Sequence, residues 1–220
     1  MKLLTCVLIL IVIIILYKLY DFNNEKSNKI LINLNGELVE IDDTRYKRMN
    51  RNHLSESSED RIVNNLLEEV NMNITKLIDY LDKKYANTTN INIIDGISKL
   101  KSNYKYENLI EHIPKWYSNE TSYTVNKGEI LALCLRHKDI PKRFHDINVI
   151  MFVTVHELAH IFSVSVGHND EFWTNFKFLL NESIDVGIYN FDDYNKHNKN
   201  YCGMEINYTP LTDFSLPNLI

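Results

Sequence analysis

The chain has 220 residues, a length that suits one domain with appendages. Hydrophobic residues make up 45% of it and aromatic residues 11%, so a substantial core can form. The net charge of −5 is mild and gives no sign of the basic surface that nucleic-acid-binding proteins carry, so we expect no nucleic-acid partner.

An apolar run opens the chain and predicts a transmembrane anchor over residues 1–20. The uncharged segment from Leu3 to Tyr17 is rich in Val, Ile and Leu, and as a helix of this length, up to Tyr20, it would span about 22–27 Å of a bilayer. A cleaved signal peptide and a buried helix are the alternatives. The residues that follow, YKLYDFNNEKS, are bulky and charged, whereas a signal-peptide cleavage site needs small residues. We therefore expect a single-pass membrane protein.

The side of the membrane on which the rest of the chain lies stays open. Lys18, Lys26 and Lys29 favour a cytosolic C-terminal domain under the positive-inside rule. Several Asn-x-Ser/Thr sequons favour the opposite side, but the high Asn content makes some of them expected by chance. Cys134 and Cys202 allow either a disulfide or two reduced thiols, so the redox compartment stays open as well.

Residues 21–57 are predicted to form a stalk with a β-hairpin and a linker. Two β-type runs in ILINLNGELVEI flank Asn35-Gly36, a pair that supplies both positive φ angles of a type I′ turn. The charged segment after residue 41 is mostly without periodicity, which is typical of a linker.

Residues 58–220 are predicted to form the globular domain, which begins with an amphipathic helix over residues 58–85. Ser57 and Asp60 suit the start of that helix as a capping pair. Farther on, TSYTVNKGEILALCLR, residues 121–136, predicts two strands around a turn. The apolar face of the helix is predicted to comprise Ile62, Leu66, Val70, Leu77, Ile78 and Leu81.

The stretch VTVHELAHIFSVSVGHNDEFW, residues 153–173, carries the strongest chemical signal. His156 and His160 are four residues apart, so a helix places both imidazoles on one face, where they can share one tetrahedral zinc ion. Glu157 is rotated by about 100° from His156 on a helix, so it is predicted to reach a water at the metal and act as general base. Zinc lowers the pKa of such a water to about 7.

The third metal ligand is predicted to be His168. A catalytic zinc ion keeps three protein ligands and one open position. Gly167 is the first helix breaker after His160, and His168 follows it directly, in a turn before a second helix whose predicted N-cap is Asn169. From such a turn the imidazole can swing back to the metal.

Two alternatives to this interpretation stay open. A carboxylate can complete such a site, with Glu182 as the main candidate and Asp170 or Glu171 as others. The β-branched run VIMFVTV could also form a strand, which would place His156 and Glu157 on opposite faces. The apolar stretch over residues 147–166 is too long for one strand, so a helix is favoured.

The motifs resemble those of the zincin metallopeptidases, in particular the WLM and SprT-like families, which carry HELAH, a third histidine and an aromatic pair. The segments SYTVNKGEILALCLR, FVTVHELAHIFSVSVGHNDEFWTNFKFLL and GIYNFDDYNKHNKNYCGMEI are most similar to WLM-type metallopeptidases of large DNA viruses, over about residues 90–210. The resemblance implies one zinc ion per chain, with His156, His160 and His168 as ligands and Glu157 as general base. WLM sequences usually have five residues between the second and third histidines, whereas this chain has seven, so the turn must differ.

The expected fold is α+β, with a zincin-like domain in which a small β-sheet packs on the HExxH helix and with a transmembrane helix at the N-terminus. By analogy with zincins, the strand at residues 129–136 is expected to line the cleft and bind substrate by β-addition. Some relatives act on protein bound to DNA, a role that the lack of a basic surface argues against here.

The sequence thus predicts a membrane-anchored zinc metallopeptidase that hydrolyses peptide bonds of a peptide or protein substrate, in a host or virion membrane if the chain is viral. The alternative is a zincin with structural zinc or without catalysis that serves as a membrane-tethered binding or assembly protein. The sequence does not specify the oligomeric state. Candidates to stabilise an oxyanion or to underlie the metal are Tyr189, Tyr194, His197, Tyr201 and Met204.

Overall fold

The computed structural model of the chain describes residues 29–34, 37–42, 58–115, 117–118, 121–140 and 143–220. The predicted anchor, residues 1–20, lies outside this part. Within it, no helix has the length and the apolar character that crossing a bilayer requires. The chain divides into two compact units, residues 1–56 and 57–220.

The first unit contains a pair of antiparallel strands on either side of Asn35-Gly36 in the sequence. Strand β1, Lys29–Leu34, pairs with β2, Glu37–Asp42. These are the two strands that the β-type runs predict.

Helices frame the described part of the second unit: α1, Ser58–Lys84; α2, Ile91–Asn103; α3, Ile147–Phe162; and α4, Asp170–Asp185. The predicted first helix is confirmed, but its buried face is partly wrong, because Ile62 is 44% exposed. The face that meets the core is rotated by one residue at its N-terminal end and comprises Val63, Leu67, Val70, Ile74, Leu77, Ile78 and Leu81.

Helix α2 is a further element that lies against α3. Asn90 caps it by accepting a hydrogen bond from the backbone N–H of Asn92. Gly96 allows the close approach of the two helices, since a Cβ atom there would lie 2.2 Å from the ring of Phe162. This glycine therefore fixes how deeply the end of α3 sits in the core.

A three-stranded sheet covers another side of α3. It contains β3, Leu109–Glu111, β4, Tyr123–Val125, and β5, Ile130–Leu133, in the order β3-β5-β4. Strand β5 runs parallel to β3 and antiparallel to β4. The predicted small sheet on the HExxH helix is thus present, but residues 130–133 form its central strand and β4 forms an edge.

A second hairpin, β6, Lys199–Tyr201, and β7, Met204–Ile206, closes the C-terminal part of the unit. Its turn contains Cys202 and Gly203, both with positive φ. Cys202 forms a disulfide with Cys134 and its N–H donates to Nε2 of His145, 3.1 Å away. The turn is thereby fastened to the segment that follows β5.

Candidate metal centre

Helix α3 is buried on nearly all sides, and this explains why it is a helix despite its β-branched residues. It lies among the other helices and the sheet, so its apolar residues meet a core in every direction. Asp146 caps its start by accepting from the N–H of Asn148, 2.8 Å away. The alternative of a buried strand is therefore wrong.

Three histidine side chains converge at the C-terminal half of α3 and the loop after it. Nε2 of His168 lies 3.0 Å from Nε2 of His156 and 3.1 Å from Nε2 of His160. Two nitrogen atoms that bind the same tetrahedral zinc ion lie roughly 3.3 Å from each other. The three nitrogens, all within 4.8 Å of one another, are therefore placed so that they could hold one metal ion.

The electrostatic character of the three imidazoles suits a metal ligand. Burial lowers the pKa of His156 to about 3 and that of His160 to about 4, and the neighbouring imidazoles act in the same direction. Burial also lowers the pKa of His168. Neutral imidazoles have free lone pairs, which metal binding requires. At neutral pH the three imidazoles can therefore bind a cation without first releasing a proton.

Aromatic rings pack against the imidazoles and limit their rotation. Phe172 stacks on His160 with ring centroids 4.4 Å apart and meets His156 edge-on at 4.9 Å. Phe176 packs edge-on against His156 from the same helix, at 5.1 Å. Both aromatic residues come from α4, whose position relative to α3 therefore orients the ligands.

Glu157 is the buried carboxylate of this site, with 4% of its surface exposed. Its Oε2 accepts a hydrogen bond from Oγ1 of Thr124 on β4, at 2.9 Å. Burial raises the pKa of Glu157 to about 7, and the hydrogen bond from Thr124 opposes this rise. A cation held by the nearby imidazoles would favour the carboxylate form. The hydrogen bond from Thr124 fixes one oxygen of the carboxylate, and a carboxylate has further lone pairs that can accept a proton from a reacting group.

The alternative ligands have other partners. Glu182 accepts hydrogen bonds from Nζ of Lys84 at 2.8 Å and from the hydroxyl of Tyr85 at 2.8 Å. Glu171 accepts from the N–H groups of Val164, at 2.6 Å, and Ser165, at 3.0 Å. His168, which directly precedes Asn169, the N-cap of helix α4, lies with the other two histidines.

The three imidazoles and Glu157 line a cleft of about 750 Å³ with two unlike walls. The wall along β4 is polar and includes residues 121–124. The expectation that residues 129–136 line the cleft is wrong, because β5 is the central strand and β4 lies between it and the cleft. Another part of the lining, the apolar wall, includes Phe152, Trp173, Phe176, Ile206 and Tyr208.

The C-terminal aromatic residues divide between the core and the cleft. Tyr189 and Tyr194 are buried against Phe152 and do not line the cleft. Tyr201 does line it, and its hydroxyl lies 2.7 Å from Oγ of Ser122. Met204 is 51% exposed at the rim.

The sequence did not reveal that Thr124 and Ser122 line the cleft, where they contact Glu157 and Tyr201. Both lie in TSYTV, where residues alternate between the two faces of a strand, so residues 122 and 124 share one face. This alternation was the available signal, but it does not reveal which face meets Glu157.

Residues 92–213, more than half of the chain, match the model of the WLM domain family. The chain belongs to the WLM family. An uncharacterized protein of Acanthamoeba polyphaga mimivirus is 36% identical over 141 residues, which cover 64% of this chain and 69% of that protein. An uncharacterized protein of Invertebrate iridescent virus 3 is 41% identical over 90 residues, 41% of this chain and 54% of that protein. The match to this second relative thus spans about half of the relative's length.

Among solved structures, Wss1 from Saccharomyces cerevisiae is similar at 24% identity with a TM-score of 0.33. The match covers 36% of this chain and 59% of that one.

Proposed function

We propose that this WLM protein is a membrane-anchored zinc metallopeptidase that hydrolyses peptide bonds. The observation that carries the proposal is the convergence of three imidazoles in a cleft that the buried carboxylate of Glu157 also lines. His156, His160 and His168 would hold the ion, and Glu157 would serve as general base. Membership of the WLM family supports a metallopeptidase-like activity.

The chemistry divides between the metal and the chain. A bound zinc ion acidifies water and polarises a carbonyl oxygen. Glu157 takes the proton of the attacking water and hands it to the leaving amine. Thr124 holds the carboxylate in place during both transfers through the 2.9 Å hydrogen bond to Oε2. Phe172 and Phe176 keep the ligand rings oriented and shield one side of the site from water.

The cleft suits an extended polypeptide. Edge strand β4 forms one wall, and an edge strand can pair with the main chain of a peptide. The apolar wall can take a large apolar side chain next to the bond that is cleaved. Peptide or protein substrates thus fit both walls.

The membrane anchor in this proposal comes from the apolar run over residues 1–20. Alkaline extraction of membranes that contain the full-length chain tests it directly. We expect the full chain to stay with the membranes and a chain without residues 1–20 to be released. Release of both would contradict the anchor and leave the proposed peptidase activity untouched.

The peptidase activity is tested by incubating the full-length chain in detergent, loaded with zinc, with a diverse peptide library. We expect cleavage that a chelator abolishes and added zinc restores. A chain that holds one zinc ion per molecule and cleaves no peptide would favour the alternative function, a membrane-tethered binding or assembly protein.

A further inference from the structure

Seven residues, 161–167, lie between the second and third histidines, two more than in the family pattern. The last five of them, residues 163–167, form a segment whose carbonyl and amide groups are both bound by charged side chains. Nζ of Lys127 lies 2.8 Å from the carbonyl oxygen of His160, 3.0 Å from that of Ser163 and 2.5 Å from that of Ser165. An ammonium group has three donors, so these carbonyls saturate it.

The carboxylate of Glu171 binds the same segment through its N–H groups. Oε1 accepts from Val164 and Oε2 accepts from Ser165, at 2.6 and 3.0 Å. The ammonium group of Lys127 thus binds carbonyl groups of the segment, and the carboxylate of Glu171 binds its amide groups. These contacts leave the segment little freedom until Gly167, whose φ of +86° turns the chain into His168.

Lys127 also completes the end of helix α3. The last carbonyls of a helix have no partners within the helix, and a cation at this end also interacts favourably with the helix dipole. The carbonyl of His160 is one of these groups, and Lys127 satisfies it. The same ammonium therefore touches the backbone of one candidate ligand and the segment that carries another.

The turn that presents Lys127 is itself built at a conformational cost. Asn126, Lys127 and Gly128 have φ values of +45°, +58° and +113°. Positive φ is unfavourable for a residue such as lysine and persists only where the surroundings impose it. Asn103 stabilises this conformation here, because its Nδ2 donates a hydrogen bond to the carbonyl of Lys127 at 3.0 Å.

We propose that Lys127 and Glu171 are positioning residues that clamp residues 163–167 and thereby place His168 against His156 and His160. The inference rests on the proposed metal site, and it explains how a spacing of seven residues still brings the third imidazole within 3.1 Å of the second. Lys127 lines the cleft but is not one of the proposed metal ligands, and its assigned role is exerted through the main-chain groups that it binds.

A double-mutant cycle tests this assignment by zinc affinity, measured on the full-length chain in detergent by competition with a chromophoric chelator. Lys127→Met is expected to weaken zinc binding by about 10- to 100-fold, the usual effect of removing a group that orients a ligand. In a His168→Ala background, the same substitution is expected to change the affinity by less than about twofold, because the group it orients is gone.

Lys101→Met is the matched control, since Lys101 pairs with Asp82 on the surface and contacts no part of the segment. We expect it to leave zinc affinity unchanged in both backgrounds. If circular dichroism shows that Lys127→Met is unfolded, Glu171→Gln replaces it in the same cycle with the same expected result.

Equal losses of affinity in the two backgrounds would overturn the proposal, since they would show a general effect on stability. Losses below about twofold in both backgrounds would overturn it as well. The readout is independent of catalysis. A chain that binds zinc with the expected coupling but cleaves nothing would contradict the proposed peptidase and support the clamp.

Discussion

Nε2 of His156 and Nε2 of His168 lie 3.0 Å apart although the two residues are twelve positions apart in the chain. This proximity leads to a prediction that separates the two leading candidates for the third ligand. His168→Ala is expected to weaken zinc binding while the domain stays folded, because the His168 side chain is largely exposed.

The matched substitution is Glu182→Gln. Glu182 is buried and accepts hydrogen bonds from Lys84 and Tyr85, so its loss is expected to lower the free energy of unfolding by about 1–3 kcal/mol. Zinc affinity should stay unchanged once the variant is folded. Chelator competition and chemical denaturation of both variants check this. If folded Glu182→Gln bound zinc more weakly than wild type and His168→Ala bound it as tightly as wild type, the assignment would be reversed.

The sequence was sufficient to predict the elements whose periodicity and caps are local. Helices α1, α3 and α4 follow from apolar periodicity, length and, for α4, the Asn169 cap. Helix α2 was not predicted; its INIIDGISKL carries a glycine, which is unfavourable in a helix, and that glycine fits through contact with Phe162. Such a long-range contact has no local signature.

The candidate site shows the same division. The spacing of HELAH and the position of Gly167 were enough to name three histidines that the fold brings together. The partner of Glu157, Thr124, lies 33 residues earlier and could not be named, because strand order decides which residue meets the carboxylate. The disulfide also depends on where β5 and the second hairpin meet in space.

The disulfide predicts a redox-dependent stability. Cys134 and Cys202 close a loop with a sequence separation of 68. Cross-linking a loop of this length is expected to stabilise the fold by about 2–4 kcal/mol through the unfolded state. The paired variant Cys134→Ser/Cys202→Ser should unfold at a lower denaturant concentration than the oxidised wild type. Wild type that unfolds at the same midpoint with and without reductant would contradict this prediction.

His145 predicts a loss of stability in mild acid. Burial and the adjacent His137 lower the pKa of His145 to about 4, and the Nε2 atom must stay unprotonated to accept from Cys202. Between about pH 6.5 and pH 4 the unfolded chain binds a proton at this residue that the folded chain does not. The free energy of unfolding therefore falls as the pH decreases through this range, and His145 has no such effect above it.

The measurement compares wild type with His145→Gln, which keeps an acceptor for the N–H of Cys202 but does not titrate. From pH 7 to pH 5 we expect wild type to lose up to about 2 kcal/mol more than the variant in denaturant titrations. The imidazoles of the metal site are present in both proteins, so their contribution cancels in the comparison. Parallel pH profiles for the two proteins would show that His145 is not the group responsible.

The apolar wall of the cleft predicts cleavage preference. Trp173 lines this wall and packs edge-on against Tyr208 with ring centroids 5.2 Å apart. Trp173→Ala enlarges the apolar recess, so the preferred side chain next to the cleaved bond should become larger, with preferences changed by about 10-fold or more. Phe214→Ala, which removes an aromatic side chain that is 95% exposed, is the control and should leave the cleavage profile as it is.

The central claim is that Glu157 activates water at a metal held by the three histidines. The most direct test compares cleavage of one peptide by wild type and by Glu157→Gln, with zinc per chain determined for both. Equal zinc content with a loss of at least about 100-fold in kcat is the predicted result, since general-base catalysis contributes about that much or more. Full activity of Glu157→Gln at equal zinc content would contradict the account.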